Sequence, residues 1–428
     1  MQHMQKIELP NEINKIIETV EAKGFEAYAV GSAIRDTLLG SEPLDWDLAT
    51  NAPLCELTAI FPDAKIVNEE LEVIRLEVDD EALAVDIARF RVDGNYSDHK
   101  KPDRVIFIDD IEEDLKRRDF TANAIAYAPQ KGFVDPFDGI HDIVNKLVRM
   151  TGDPLERLTE DPIRMMQAIR LTGETGFDLH MQIYRVIYEK STLLESISTD
   201  EMRTEFEKLI VGDFAGKGLK MLDGTGLIRY IIGDFSKTKT EFRKFEVLTE
   251  RLGKAENKRL IRLGLFYTCF EKKGAISAIE RLNYDPKTIS RLDDALNGLE
   301  PIGFFADKFE FKQLIANIGM SRYKYLDDLS RAKQVVYNLH DRKILDRQAM
   351  MDEIETNNEP IFLEDLAIDG NDITYNGIAK DDKVGELLKM LLALVHKEPE
   401  RNTRKELLAY AEKYANSTVE AAFRKMNW

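Results

Sequence analysis

The sequence predicts an α+β fold, in which an N-terminal head with a mixed β-sheet and helices is followed by all-α segments. Up to about residue 150, short runs of alternating apolar and polar residues indicate half-buried strands between helices. From about Thr151 onward the apolar residues recur at helical spacing, and we expect no further strand. The length of 428 residues corresponds to about three domains at roughly 150 residues each.

Composition narrows the function classes. Hydrophobic residues make up 43% of the chain, as in globular proteins, and no apolar run approaches the length of a membrane span. The formal net charge of −18 argues against a general polyanion binder, because nonspecific nucleic-acid affinity depends on Lys and Arg neutralising phosphates. The N-terminal residues lack an apolar signal segment, and Cys55 and Cys269 are the only cysteines, so we expect a reduced, cytoplasmic setting.

The first predicted element is a helix from Pro10 to Lys23. Proline suits the first turn of a helix, and Gly24 can end it. Its apolar residues repeat at helical spacing, at Ile13, Ile16, Ile17 and Val20.

A strand, a turn and a helix opening follow at residues 28–36, Tyr-Ala-Val-Gly-Ser-Ala-Ile-Arg-Asp. Gly31 and Ser32 form the turn, and the start of the helix directs backbone N–H groups and its dipole toward an anion. A triphosphate could bind there, with Arg35 as a further donor. An ordinary structural corner is the alternative.

About ten residues later, the segment Leu-Asp-Trp-Asp-Leu-Ala-Thr brings two carboxylates together. In an extended strand Asp45 and Asp47 project to one face, while Trp46 and Leu48 turn into the core. Such a pair repels itself unless cations neutralise it, and its oxygens suit Mg²⁺, which often completes its shell with substrate phosphates. The pair and the nearby corner indicate phosphoryl or nucleotidyl transfer, whereas two solvated acids at a strand end are the alternative.

Two further strands, from Leu71 to Val78 and from Ala82 to Phe90, are predicted to extend the sheet. On the second, Asp86 lies between apolar neighbours and is either a third carboxylate of the site or an edge-strand acid that faces water. Residues Val92–Lys101 are rich in Asp, Gly, Asn, Ser and Lys, which predicts a mobile loop.

A charged block at residues 114–127 offers further ligand groups. Arg117 and Arg118 can donate to phosphate, and Asp119 with Asn123 one helical turn later can accept from a ribose 2′-hydroxyl. The alternative is a charged helix start with Asp119 as its N-cap.

These motifs together resemble the nucleotidyltransferase family that contains the bacterial class II tRNA CCA-adding enzymes and the bacterial poly(A) polymerases. The family signature Gly-Gly-x-Val-Arg-Asp, followed by Leu-Leu-Gly and Asp-x-Asp, differs here at Ser32 and conservatively at Ile34. The family block Arg-Arg-Asp-Phe-Thr-Ile-Asn-Ala differs only at Ala122. Asp135 matches the turn that closes the family's head and is expected to be structural, and Asp138 stands where Gly or Asn is frequent.

The resemblance implies an activity and its partners. It implies template-independent addition of C, C and A to the 3′ end of tRNA from CTP and ATP, with the acceptor and T arms of tRNA in contact with the protein. It implies Mg²⁺ held by Asp45 and Asp47 in a two-metal mechanism, which stabilises both oxygens of an in-line displacement. The implied catalytic carboxylates are Asp45, Asp47 and Asp86. The implied nucleotide-binding residues are Gly31, Ser32, Arg35, Arg117, Arg118, Asp119, Asn123, Asp161, Arg164 and Arg170.

Within this set, Asp161 and Arg164 open a segment that resembles the family's nucleotide-reading helix. Three positions apart at a helix start, they can share a face and offer an acceptor carboxylate beside a donor guanidinium. Cytosine and adenine both present an amino donor next to a ring-nitrogen acceptor, whereas uracil and guanine present the reverse. The alternative is that Asp161 and Pro162 only begin the helix and Arg164 is a solvated charge.

The resemblance also implies a division of the chain into a catalytic head (1–150), a helical neck with the nucleotide-selecting motif (151–211), a helical body (212–300) and a tRNA-binding helical tail (301–428).

Other functions were weighed against this one. An enzyme that adds only the final A to tRNA ending in CC, a poly(A) polymerase and a catalytically inactive RNA-binding relative all stay open, although intact Asp45 and Asp47 argue against the last. An HD-type phosphohydrolase is rejected, because the six histidines are scattered and His340-Asp341 has no plausible partner nearby. Protein partners are not predicted.

Overall fold

A computed structural model describes residues 6–415 except for 44, 79–82, 95–103, 234–237, 299–301, 303–304 and 340–341. Two compact units make up the chain. The first comprises Met1–Thr238 and Ser277–Asn283, and the second comprises Lys239–Ile276 and Tyr284–Trp428. The α+β class with an N-terminal mixed sheet is confirmed. The finer division into head, neck, body and tail stays a prediction.

The N-terminal part of the first unit is built around one sheet. In chain order its elements are α1 (Asn11–Glu21), β1 (Ala27–Val30), α2 (Ser32–Leu38), β2 (Trp46–Thr50), α3 (Leu54–Ile60), β3 (Lys65–Asn68), β4 (Val73–Val78), β5 (Leu83–Arg89), β6 (Arg91–Asp93), β7 (Val105–Phe107), α4 (Ile111–Lys116), β8 (Ala126–Ala128), β9 (Gly132–Val134), α5 (Gly139–Val144) and β10 (Leu147–Val148). Within the described residues the sheet has the strand order β3-β4-β5-β2-β1-β8-β9. The β2–β5 pair is parallel and the other neighbours are antiparallel.

Helix α1 forms as the apolar spacing predicts. Its side chains Ile13, Ile16, Ile17 and Val20 are all buried. Pro10 occupies the position before the first helical residue, and Gly24 follows the helix with φ of 88°, a left-handed conformation that glycine adopts without strain.

Strands β1 and β2 form the centre of the sheet. All four residues of β1 are buried, and on β2 Trp46 and Leu48 are 3% and 1% exposed, as the alternation predicts. Beneath them, Tyr28, Val30 and Phe90 belong to a core that extends to α4. This core holds the two strands rigidly, and the strand ends carry the site.

The remainder of the first unit is mainly helical. Its elements are α6 (Pro154–Glu160), α7 (Ile163–Thr175), β11 (Asp178–Leu179), α8 (Met181–Lys190), α9 (Thr199–Ile210), α10 (Ala215–Gly224) and α11 (Arg229–Ile232). The expectation that no strand follows Thr151 is wrong, because β11 pairs in parallel with β10. A strand of two residues is too short for alternation to reveal it.

The later helices are α12 (Lys239–Arg251), α13 (Arg259–Tyr267), α14 (Lys272–Arg281), α15 (Pro286–Asn297), α16 (Lys308–Ile318), α17 (Met320–Tyr337), α18 (Arg342–Thr356), α19 (Gly370–Tyr375), α20 (Asp382–Lys397) and α21 (Arg404–Tyr414). Helices α19, α20 and α21 share an apolar core of their own, which includes Ile373, Leu391 and Leu407. In the part of the chain that the structure describes, no helix is both long and apolar enough to cross a membrane.

The segment predicted as a loop at Val92–Lys101 begins differently. Val92 and Asp93 belong to β6, which pairs with β7. Residues 95–101 of the predicted loop, and His340-Asp341, lie outside the described residues.

Candidate active site

Three carboxylates gather where β2 and β5 run side by side. Asp47 of β2 pairs in register with Asp86 of β5, so both side chains project from the same face of the sheet. Asp45 lies one residue before β2, and its charge acts on Asp47. The predicted carboxylate pair is therefore joined by Asp86. The edge-strand interpretation of Asp86 is wrong, because β5 lies between β4 and β2 inside the sheet.

The surroundings of Asp47 oppose its negative charge. Its side chain is accessible to solvent, but protein atoms surround it closely enough that desolvation raises its pKa. The charges of Asp86 and Asp45 raise this pKa further, whereas the guanidinium of Arg118 lowers it. A cation at this face would relieve the repulsion among the carboxylates.

The strand-turn-helix corner lies against these carboxylates. Gly31 precedes α2 with φ of 82°, and a Cβ atom at this position would lie 3.5 Å from Nη1 of Arg118 and 3.7 Å from Oδ2 of Asp47. Glycine is thus favoured twice, by its left-handed backbone and by the close approach of two charged side chains. No side chain caps α2, so its first N–H groups are directed toward the site without a side-chain acceptor.

Asp114 holds the two arginines of the charged block, and we did not predict this role. It is fully buried and accepts hydrogen bonds from Nε of Arg117 (2.9 Å), Nη2 of Arg118 (3.3 Å) and the backbone N–H of Arg91 (3.1 Å). Burial alone would raise its pKa, but Arg117 and Arg118 hold the pKa below its ordinary value. An acid three and four residues before two arginines was the available signal, because this spacing brings the side chains together at the end of a helix.

The alternative interpretation of the charged block, a helix start with Asp119 as its N-cap, is wrong. Helix α4 ends at Lys116, so Arg117 and Arg118 follow a helix rather than precede one. Thr121–Asn123 form a single turn of 3-10 helix whose preceding residue is Phe120. Phe120 has extended backbone and is buried together with Thr121, so no α-helix begins at Asp119.

A second charged cluster joins this block to α7. Arg164 is only 4% exposed, so the interpretation as a solvated charge is wrong. Its Nε lies 2.6 Å from Oδ1 of Asp119 and 3.9 Å from Oδ2 of Asp161, and its Nη1 lies 3.1 Å from Oε2 of Glu160. Asp161 and Arg164 thus lie side by side as expected. Burial raises the pKa of Asp161 to about 6, although the charge of Arg164 opposes the rise.

Arg157 is a second residue that sequence analysis missed. Its Nη2 donates to the backbone carbonyls of Arg117 (2.7 Å) and Arg118 (3.1 Å), and its Nη1 lies 2.8 Å from Glu160. It fixes the chain between α4 and Asp119. Only the i,i+3 pairing with Glu160 was visible in the sequence, because the carbonyl partners lie forty residues away in the chain.

Two predicted nucleotide-binding arginines have protein partners, and their nucleotide contacts stay predictions. Arg35 is 6% exposed, with Nε 2.8 Å from Asp36 and Nη1 donating to Oδ1 of Asn123 at 2.8 Å. Arg170 pairs with Glu205 of α9 at 2.6 Å and with Glu174 at 2.7 Å. In this structure Arg35 fixes Asn123, and Arg170 holds α7 to α9.

The turn that closes the sheet is structural, as expected. The Asp135 carboxylate accepts from the backbone N–H groups of Gly139 (2.7 Å) and Ile140 (2.9 Å). Asp138 has φ of 56°, a left-handed backbone that explains why Gly or Asn suits this position. A Cβ at Gly139 would lie 2.1 Å from the carbonyl oxygen of Thr121, so the turn packs directly on the segment behind Asn123.

The donor chemistry fits a hard divalent cation. Among the described residues, no group of three or more His, Cys, Asp and Glu side chains forms a metal cage by itself. Mg²⁺ is usually bound through one or two carboxylates together with water and substrate phosphates, and Asp45 and Asp47 supply two carboxylates. The raised pKa of Asp47 also indicates negative charge that the protein leaves undercompensated.

Comparison with known proteins assigns the two parts of the first unit. Residues 27–149 match the poly(A) polymerase head domain, and residues 176–237 match the probable RNA and SrmB-binding site of polymerase A. Curated CCA-adding enzymes are similar to the chain, with 42% identity over 218 residues in Geobacillus thermodenitrificans and 39% over 222 residues in Leuconostoc citreum. These alignments cover 51% and 52% of this chain, and the chain spans about half the length of these curated relatives (54% and 55%).

Solved structures extend the likeness to the full chain. The Bacillus stearothermophilus CCA-adding enzyme in complex with CTP has a TM-score of 0.77 at 25% identity, covering 98% of this chain and 100% of that one. The Thermotoga maritima CCA-adding enzyme complexed with tRNA has the same fold, with a TM-score of 0.62 at 19% identity and coverage of 94% and 96%. With the carboxylate site, these findings lead to one conclusion: residues 27–149 form a poly(A) polymerase head domain, and the chain is similar to CCA-adding enzymes in sequence over about half of its length and in fold over nearly all of it.

Proposed function

We propose that the protein adds C, C and A to the 3′ end of tRNA without a template, using CTP and ATP. The observation that carries this proposal is the in-register pairing of Asp47 with Asp86 beside Asp45, with Gly31 next to Asp47 and the positive charge of Arg118 acting on it. Acidic and basic groups thus meet at one point, as transfer from a triphosphate requires.

In the reaction, the RNA 3′-hydroxyl oxygen forms a bond to the α-phosphorus of the nucleotide. The bond from that phosphorus to the bridging oxygen breaks, pyrophosphate leaves with the electron pair, and the hydroxyl proton passes to solvent. Mg²⁺ bound by Asp45 and Asp47 would activate the hydroxyl and neutralise charge that develops on both oxygens. Asp45 and Asp47 therefore need no separate general base beside them.

The triphosphate binds, on this proposal, between the corner and the charged block. Ser32 offers a backbone N–H group at the start of α2, and Gly31, whose own N–H donates to the carbonyl oxygen of Ile125 at 3.4 Å, leaves room for the phosphates because it has no side chain. Arg118 offers donors that Asp114 does not use. Arg117 is held by the same carboxylate at the edge of the block. Arg35 acts behind this surface by fixing Asn123, which keeps the second oxygen lone pair for a ribose hydroxyl.

Base selection rests on Asp161 and Arg164. Asp119 and Glu160 hold Arg164 in place, so its guanidinium keeps one orientation relative to Asp161. A fixed acceptor beside a fixed donor matches the amino group and ring nitrogen of cytosine and adenine. With uracil or guanine, the carboxylate of Asp161 would face a carbonyl oxygen and the guanidinium of Arg164 would face an N–H group. Unpaired buried polar groups cost roughly 1–3 kcal/mol each, so two mismatches give about a hundredfold discrimination.

The tRNA is the expected macromolecular partner, through its 3′ end and its acceptor and T arms. A CCA-adding enzyme of the same fold is known in complex with tRNA, and residues 176–237 match an RNA-binding segment. The helices beyond residue 300 supply the remaining RNA contacts on this proposal. Cys55 and Cys269 are both free thiols, which supports a cytoplasmic setting.

Two tRNA substrates test the proposal against its neighbours. Purified protein is incubated with Mg²⁺, CTP and ATP, and with tRNA that ends either at the discriminator base or in two cytidines. Extension of the first by three nucleotides and of the second by one supports CCA addition. Extension of only the second identifies an A-adding enzyme, long adenosine tracts identify a poly(A) polymerase, and RNA binding without extension overturns the proposed activity.

A further inference from the structure

An arginine on β4 lies beside the carboxylates and belongs to none of the predicted sets. Arg75 pairs in register with Asp86 across the β4–β5 ladder, and Asp86 pairs with Asp47 across the β5–β2 ladder. These residues therefore form a row on one face of three neighbouring strands. The order of the row is Arg75, Asp86, Asp47.

Both oxygens of Asp86 are engaged by Arg75. Nε of Arg75 lies 2.6 Å from Oδ1, and Nη2 lies 2.7 Å from Oδ2. This two-point geometry fixes the plane of the guanidinium and occupies one lone pair of each Asp86 oxygen. The positive charge of Arg75, held against both oxygens, opposes the binding of a metal cation by Asp86.

The remaining donors of Arg75 are free to act. A guanidinium has five N–H groups, of which the carboxylate uses two, and among the described residues no hydrogen bond to Nη1 is found. The side chain is 44% exposed, and its charge interacts with Asp45 and Asp47 as well as with Asp86. The guanidinium of Arg75, held by Asp86 along one edge and free to donate along the other, is suited to bind an anionic ligand.

We propose that Arg75 binds a phosphate group of a substrate at this site and that Asp86 is its positioning residue rather than a metal ligand. The inference rests on the proposed nucleotidyl transfer, because that reaction brings two phosphate sources to the site. One is the nucleotide triphosphate and the other is the backbone next to the RNA 3′ end. Both offer oxygens to the two-donor outer edge of Nη1.

Binding without metal separates the two sources. In EDTA, the dissociation constants of labelled ATP and of a tRNA ending in CC are measured for the parent and for Arg75→Ala, Arg75→Lys and Asp86→Asn. Losing charge-assisted hydrogen bonds should weaken one of the two ligands about tenfold in Arg75→Ala. Arg75→Lys should recover part of this loss, and Asp86→Asn should weaken the same ligand by a smaller factor.

Lys131→Ala serves as the matched control. Lys131 lies between β8 and β9, forms an ion pair with Glu26 at 3.0 Å near the end of β1 opposite Gly31, and is 34% exposed. Its removal subtracts the same charge but should leave both dissociation constants within about twofold. Thermal unfolding of every variant establishes that the binding change is not a folding defect.

The metal requirement of the reaction gives the decisive contrast. If Asp86 only positions Arg75, the Mg²⁺ concentration for half-maximal incorporation is unchanged in Asp86→Asn. A tenfold rise in that Mg²⁺ concentration in Asp86→Asn, with a fall in Arg75→Ala, would identify Asp86 as a metal ligand and overturn the proposal. Unchanged dissociation constants of both ATP and tRNA in Arg75→Ala would also overturn it. Failure of the parent protein to extend tRNA while these binding differences persist would instead count against the proposed function alone.

Discussion

Two largely buried arginines, one in each compact unit, differ in how completely their donors are used. Arg347 in the second unit is fully enclosed, with Nε 2.8 Å from Asp327, Nη1 donating to the carbonyl of Ile302 at 3.2 Å and Nη2 donating to Ser330 at 3.0 Å. Arg118 in the first unit donates to Asp114 at 3.3 Å, but its Nε is buried without a hydrogen-bond partner among the described residues.

On the proposed function, the difference separates a structural charge from one that is available to a ligand. Every nitrogen of Arg347 has a partner, so its burial is balanced within the fold. Arg118 faces Gly31 and Asp47 with donors to spare, and burial lowers its pKa although Asp114 and Asp47 oppose the effect. Unused polar groups at a buried position are costly, and a phosphate ligand would supply the missing acceptor.

The largest effect should come from removing a carboxylate at the site. Asp45→Ala or Asp47→Ala should lower the turnover number by about three orders of magnitude or more and leave tRNA binding nearly unchanged, because on the proposed mechanism these groups hold metal rather than RNA. Because burial raises the pKa of Asp47, its charge disfavours the folded state at neutral pH, and Asp47→Ala should not lower the melting temperature. Single-turnover incorporation and thermal unfolding measure the two effects. Near-full activity of either variant in Mg²⁺ would show that Asp45 and Asp47 do not bind the catalytic metal.

The opposite pattern is expected for the enclosed arginine. Arg347→Met should lower the free energy of unfolding by about 3 kcal/mol, because it leaves Asp327 and Ser330 buried with fewer partners. The control is Arg331→Met, since Arg331 pairs with the same Asp327 at 2.7 Å but is 40% exposed, and about 1 kcal/mol or less is expected. Denaturant unfolding compares the two. Equal losses of unfolding free energy in the two variants would show that the burial of Arg347 does not make its ion pair more important than that of Arg331.

A smaller effect, on selectivity, should follow from changing the base-reading pair. Asp161→Ala should increase UTP incorporation relative to CTP, and Arg164→Ala should increase GTP incorporation relative to ATP, each by about ten- to a hundredfold and with a lower overall rate. Arg185→Ala on α8 removes an arginine from an exposed i,i+4 pair with Glu189 and should leave both ratios unchanged. Competition between labelled nucleotides gives the ratios. Parent-like selectivity in folded Asp161→Ala and Arg164→Ala would exclude the base-edge mechanism.

The smallest expected effect is a pH dependence of the same selectivity. Burial raises the pKa of Asp161 to about 6, so its carboxylate accepts hydrogen bonds above that pH and is increasingly protonated below it. A protonated Asp161 can donate to the uracil carbonyl, so discrimination against UTP should fall about threefold or more between pH 7.5 and pH 5.5. Asp161→Asn, which does not titrate, should have a flat ratio over this range. A parallel decline in Asp161→Asn would trace the effect to another group.

Local pattern was enough to predict the elements that position the site. Helix α1, the corner at Gly31 and the outward projection of Asp47 all follow from spacing over fewer than fifteen residues. The head domain was equally accessible, because its motifs are long and contiguous. Such features depend on neighbours in the sequence, and tertiary contacts only stabilise them.

Partners that are distant in the chain could not be predicted. Arg35 donates to Asn123 across 88 positions, and Arg164 reaches Asp119 only because α7 packs beside the segment after α4. The row of Arg75, Asp86 and Asp47 depends on strand order, which alternation along one strand does not encode. For the same reason Asp86 was open to interpretation as an edge residue, and the role of Asp114 was overlooked.

On the proposed function, the site formed by Asp45, Asp47 and Asp86 transfers a nucleotidyl group to an RNA end. The most direct measurement supplies tRNA ending in CC with ATP labelled in parallel reactions at the α- or the γ-phosphate, in the presence and absence of Mg²⁺. We expect label in the RNA only from α-labelled ATP, only with Mg²⁺, and with pyrophosphate released in equal amount; the γ-label should appear in that pyrophosphate. RNA labelled from the γ-phosphate, or tRNA that binds tightly yet stays unlabelled under all conditions, would contradict nucleotidyl transfer by this site.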